Sequence, residues 1–148
     1  MTSPNGSRSI PARILMVDDH RAGIGARKAV VEELGHEVTA VDSAEGAVKL
    51  ASQALVDIVI TDYKLPGMSG VDLIKSLRKT HPHLSIILLS GYTDVLGLTE
   101  VNTGADVVLQ KSSNEIAHLV SAVKRLLKRK KPPASQRPPI SAKPRKKA

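Results

Sequence analysis

The chain has 148 residues and contains no cysteine, tryptophan or phenylalanine, and aromatics make up only 1% of it. Without cysteine, disulfides, thiolate catalysis and Cys-ligated zinc are all excluded. With 41% of residues apolar and almost no rings among them, the core has to be aliphatic, built from Val, Leu, Ile and Ala. The same shortage leaves no stack of aromatic platforms for single-stranded bases. No apolar run approaches the roughly 18 residues that suggest a membrane span. The opening stretch "MTSPNGSRSIPAR" is polar and broken by proline, unlike a signal peptide, so the expected compartment is the cytoplasm. The histidines at 20, 36, 81, 83 and 118 share no metal-ligand spacing, and only His20 stands beside acids.

The net charge of +8 belongs to the end of the chain. Residues 128–148 hold nine Lys/Arg and no acid, whereas 13–127 carry 12 bases and 14 acids. The last segment, "KRKKPPASQRPPISAKPRKKA", is proline-rich and nearly empty of large apolar residues, so it cannot bury enough surface to order itself. The expected organisation is a loose arm over 1–12, one folded domain over 13–128 and a disordered basic tail over 129–148. Such a tail could contact nucleic acid or an anionic surface nonspecifically through charge alone. Too few residues remain there for a second folded DNA-binding domain.

Between the ends, two patterns alternate. Short runs rich in β-branched residues appear at "RILMV" (13–17), "EVTAV" (37–41), "DIVIT" (57–61), "SIILLS" (85–90) and "DVVLQ" (106–110). Most are continuous, as expected of strands buried on both faces. Helical spacing fills the intervals. Ile24, Ala26, Val30, Val31 and Leu34 share a stripe in 20–34, closed by Gly35. Ser43 is placed to cap 44–54. Val71, Ile74 and Leu77 lie on one face of 70–80, and Ile116, Leu119, Val120, Val123 and Leu127 on one face of 113–130. The segment 93–103 is rich in poor helix formers and is expected to be short. Five βα units in this order predict an α/β fold, a parallel sheet covered on both sides by helices.

In such a sheet, sites form beyond the carboxyl ends of the strands. Asp18 and Asp19 follow the first strand and Asp62 the third. If those strands are neighbours, three carboxylates crowd one pocket. Two like charges at 4 Å repel by roughly 4 kcal/mol at an effective dielectric near 20, which a hard divalent cation, Mg²⁺ above all, offsets. Ser90 ends the fourth strand with a hydroxyl, and Lys111 follows the fifth with an ammonium group. A carboxylate nucleophile, a cation site, a hydroxyl donor and a lysine are the parts that phosphoryl transfer to an aspartate requires.

The motifs "VDDH", "TDYKLPGMSGVDLI", "LLSGY" and "VVLQK" stand in the order and spacing of the response-regulator receiver domains of two-component signalling, and the resemblance spans about residues 12–128. It implies a flavodoxin-like (βα)5 doubly wound parallel sheet of strand order 2-1-3-4-5. It further implies that Asp62 is the phosphoacceptor and that Ser90 and Lys111 are the switch hydroxyl and the companion lysine. Asp18, Asp19, Asp62 and the backbone carbonyl of Lys64 would then hold Mg²⁺. The implied partners are a histidine kinase or histidine phosphotransfer protein and an unknown downstream protein, with the chain acting as a stand-alone phosphoacceptor rather than a turnover enzyme. Two positions depart from the pattern. Ser112 stands where the family usually has proline, and Val108 where a switching aromatic is common. These departures suit the rival reading, a pseudo-receiver that binds constitutively and docks a partner or nucleic acid through its basic tail. A phosphatase using an aspartyl phosphate would want a second acid at the position of Lys64.

Overall fold

Each of the five aliphatic runs forms a strand. The computed structural model describes residues 11–91 and 96–129. Its elements are β1 (Arg13–Val17), α1 (Arg21–Glu33), β2 (Glu37–Val41), α2 (Ala44–Gln53), β3 (Ile58–Asp62) and α3 (Gly70–Thr80). They continue with β4 (Ser85–Ser90), α4 (Glu100–Thr103), β5 (Val107–Gln110) and α5 (Glu115–Lys128). All four strand pairings are parallel, and the order is β2-β1-β3-β4-β5, the fold that the resemblance implied. Residues 1–10 of the expected arm and nearly all of the basic tail fall outside the described residues, as do positions 92–95 at the start of the weak helical segment. Ala12, expected in the loose arm, is instead buried in the core and bonded to His36 and Glu37. Among the described residues, no helix is long and apolar enough to cross a membrane.

The continuous character of the strands has a direct cause. Alternate side chains point to opposite faces, and both faces are covered. Ile14, Met16, Ile58, Ile60, Ile87 and Leu89 pack on one side under α1 and α5, against Val31, Leu119, Val123 and Leu126. Leu15, Val17, Val59, Ile86 and Leu88 pack on the other under α2 and α3, against Ala47, Ala51, Leu73, Ile74 and Leu77. Every one of these side chains is aliphatic. Emptying a fully buried position such as Ile60, by substitution to alanine, would cost about 2–5 kcal/mol. The two edge strands, β2 and β5, show mixed exposure.

Local signals set the helix starts. The Ser43 hydroxyl accepts from the Gly46 N–H at 3.0 Å, and the Ser69 hydroxyl from the Asp72 N–H at 3.1 Å. Asp72 in the first turn of α3 and Arg78 and Lys79 in the last complement the helix dipole. In the described part of the weak segment, Leu96 is helical and a separate turn forms α4. Thr99 and Asn102 cap it reciprocally, and Gly104 at φ 83° ends it.

Two expectations about helix faces need correction. In α1, Ala26 is exposed, and the inward positions are Arg27 and Val31. In α5 the buried set is Leu119, Ala122, Val123 and Leu126, so the stripe is rotated slightly from the one expected, with Val120 and Leu127 half-buried.

Candidate functional site

The strand order reverses between β1 and β3, because the chain leaves β1 for β2 on one side and returns to β3 on the other. The register pairs Val17 with Thr61, which puts Asp18, the next residue, level with Asp62. Asp62 is itself the last residue of β3, opposite Leu89 of β4, rather than the first residue beyond the strand. Ser90 ends β4 and is buried, and Lys111 follows β5. The Lys111 N–H donates to the Ser90 carbonyl at 2.9 Å, so β4 fixes where the lysine leaves the sheet.

Lys111 Nζ lies 2.6 Å from Asp62 Oδ1. Asp62 is only 4% exposed, and burial raises its carboxyl pKa, although the hydrogen bond and charge of Lys111 pull the other way. The peptide bonds of the described residues are all trans, including the one before Ser112, and Lys111 still reaches the acid. Asp18 is buried as well. Its Oδ1 accepts from the His20 N–H at 2.9 Å, and its Oδ2 from an Arg27 guanidinium nitrogen at 2.7 Å. Asp19 is more open, with His20 Nδ1 3.2 Å from its Oδ1. Lys64, two residues beyond Asp62, is exposed.

The backbone of Asp62 is closely held. Tyr63 N–H donates to the Leu89 carbonyl at 2.8 Å and Gly70 N–H to the Tyr63 carbonyl at 2.6 Å. A Cβ on Gly70 would lie 2.3 Å from the Asp62 carbonyl oxygen. Glycine is therefore required where α3 begins, and the "PGMSG" turn brings the helix directly onto the acid.

Asp18, Asp19, His20 and Asp62 each offer one ligand atom, and these atoms lie within 4.8 Å of one another. Three carboxylates suit a hard cation, which takes oxygen ligands. The expected acids, Ser90 and Lys111 all gather at this end of the sheet.

Two participants are absent from the sequence reading. Arg27 is buried at 7% exposure and joins Asp18 to Glu115, whose carboxylate accepts from Arg27 Nε. Burial disfavours the guanidinium charge, but Glu115 and then Asp18 outweigh it and hold the Arg27 pKa above its ordinary value. A signal was available. Ile24, Arg27, Val31 and Leu34 follow helical spacing along one stripe, and a base within an otherwise aliphatic stripe needs an acid to meet.

A doubly wound parallel sheet with an acid pocket at its reversal point and a lysine on the central acid defines a class of α/β domain. Comparison with known proteins places the chain within that class. The response regulator receiver domain profile matches residues 14–124, and the chain belongs to this family, whose members are the receiver domains of two-component signalling. It is 39% identical over 84 residues to the response regulator protein FleR of Pseudomonas aeruginosa, covering 55% of this chain and 17% of FleR. It is 34% identical over 125 residues to the transcriptional regulator NtrC of Azospirillum brasilense, covering 84% of this chain and 26% of NtrC. The chain thus matches only 17% and 26% of the length of these two relatives. Among solved structures, the response regulator TrrA of Thermotoga maritima, in complex with Mg(2+)-BeF, superposes with a TM-score of 0.71 at 32% identity. That match covers 78% of this chain and 98% of TrrA.

Proposed function

We propose that Asp62 accepts a phosphoryl group from a histidine kinase or histidine phosphotransfer protein and that the modified domain changes its binding to a downstream protein. An Asp62 carboxylate oxygen attacks phosphorus, the P–N bond of the phosphohistidine breaks, and the leaving imidazole nitrogen takes a proton. Lys111 holds a positive charge beside the oxygens of the arriving group, and Ser90 offers them a hydroxyl. Asp18, Asp19, Asp62 and the backbone carbonyl of Lys64 are the oxygen donors that would hold Mg²⁺. When bound, Mg²⁺ neutralises charge on the phosphoryl oxygens. The residue two places after Asp62 is Lys64 rather than an acid, which favours a phosphoacceptor over a turnover phosphatase.

The observation that carries this reading is the Lys111–Asp62 pair at 2.6 Å inside the same pocket as Asp18 and Asp19. The test is incubation with acetyl phosphate and Mg²⁺ followed by intact-mass analysis. A single labile phosphoryl group is expected on the wild type and none on Asp62→Asn. No adduct on the wild type, or an equal adduct on the variant, rejects the proposal. Val108 favours one alternative, a module with constitutive output, because this half-buried aliphatic side chain holds the place of a switching aromatic. Equal capture of a partner by wild type and Asp62→Asn, with and without acetyl phosphate, would select that alternative.

A further inference from the structure

We infer that Arg27 is a built-in counter-cation of the acid pocket that competes with a divalent cation for Asp18 and passes metal loading on to the first turn of α5 through Glu115. The inference rests on the proposed Mg²⁺ site and extends it to a residue outside the ligand set.

Both Asp18 oxygens already have a donor, the His20 N–H at 2.9 Å and the Arg27 guanidinium at 2.7 Å. A cation that takes a lone pair of Asp18 therefore arrives beside a positive charge in a poorly solvated place, where repulsion is only weakly screened. Arg27 has a second anchor to receive it. Its Nε donates to Glu115, the first residue of α5. The guanidinium lies between helix and pocket with little room, because a Cβ on Gly23 would approach it to 3.3 Å. Asp62 is paired differently, with Lys111, so the two buried acids of the pocket have separate cations. Only the cation of Asp18 is tied to another helix.

The test is calorimetric titration of Mg²⁺ into the full chain, with amide NMR of Glu115, Ile116 and Ala117 alongside. Arg27→Met keeps the aliphatic stem without the charge and should bind Mg²⁺ about tenfold more tightly. Glu115→Gln should bind it about threefold more weakly, since the guanidinium then rests on Asp18 alone. In the double variant, which removes both charges of the pair if Arg27→Met by itself does not fold, the Glu115 change should be silent and binding tight. Mg²⁺ should shift the α5 amides in the wild type and not in the Arg27 variants. Unchanged or weaker binding in the Arg27 variants, or a Glu115 effect that survives without Arg27, overturns the inference. If Mg²⁺ fails to bind the wild type, the Mg²⁺ site of the proposed function falls too. If the wild type binds Mg²⁺ but the variants do not differ from it, only the role of Arg27 falls.

Discussion

At the N-terminal edge of the sheet, buried or half-buried acids each accept a backbone N–H from the neighbouring strand. Asp57, just before β3, accepts from the Arg13 N–H at 2.9 Å. Asp106, just before β5, accepts from the Ile86 N–H at 2.8 Å and pairs with Arg78 at 2.9 Å. Arg78 also donates to the carbonyls of Gly104, Pro82 and Leu84, so it clasps several loop segments at once. At the C-terminal edge, Asp18 and Asp62 are held chiefly by the side-chain cations Arg27 and Lys111. Backbone donors are fixed by the ladder, whereas side-chain cations can swing away. Aspartate thus serves as a clasp between strands at one end of the sheet and as the partner of a side-chain cation at the other.

The pKa directions of the two ends agree with this division. Burial pushes the Asp106 carboxyl up, but the Ile86 N–H and Arg78 outweigh it, and its pKa is lowered. For Asp62, burial prevails and the pKa is raised.

The largest expected effect is chemical. Asp62→Asn should lose all acetyl phosphate labelling while remaining folded, whereas Asp106→Asn should label like the wild type wherever it is folded. Labelling that depends on Asp106 as strongly as on Asp62 would break the comparison. Next in size is stability. Asp106→Ala leaves the Ile86 N–H without its acceptor and takes the carboxylate partner from Arg78, and should cost about 1–3 kcal/mol in urea unfolding. A cost below about 0.5 kcal/mol, the range of ordinary surface substitutions, would show that the clasp is idle. Gly70→Ala should cost about 2 kcal/mol by overpacking and should also slow labelling, because its methyl group presses on the backbone of Asp62. Normal labelling in that variant would separate α3 from the site.

The smallest effect is one of sign with pH. Stability from Asp62 is present below the ordinary aspartate pKa, about 3.9, and is lost as pH rises through its raised value in the folded state. Stability from Asp106 is present above that ordinary value and is lost as pH falls through its lowered one. In metal-free buffer, Asp62→Asn should therefore gain in melting temperature over the wild type as pH rises from 3 to 7. The deficit of Asp106→Asn should shrink as pH falls. Parallel trends in the two variants would contradict the division between the ends.

Legibility in the sequence follows the same physical lines. The strands could be read because burial on both faces makes their apolar runs continuous, α2 because Ser43 stands where a cap is needed, and α3 because Val71, Ile74 and Leu77 recur with helical spacing. The acids, Ser90 and Lys111 could be read because strand ends are where a parallel sheet opens. The Arg27–Glu115 pair was hidden by a separation of 88 positions and by the usual placement of arginine on the outside of a helix. The turn at α4 was equally obscure, since Asn102 does the work that Glu or Gln more often does in a reciprocal cap. Local pattern reveals an element's type and its strand-end chemistry; it does not reveal which distant helix closes over the site.

The glycine at the start of α3 has a mechanical consequence. Gly70 lies directly against the Asp62 carbonyl, and the ladder to β4 holds the other side of that backbone, so the main chain at Asp62 cannot retreat. A group added to the carboxylate must be accommodated by what surrounds it. The acid behaves as a fixed post, and on the proposed reading any displacement falls to the side chains and loops around it.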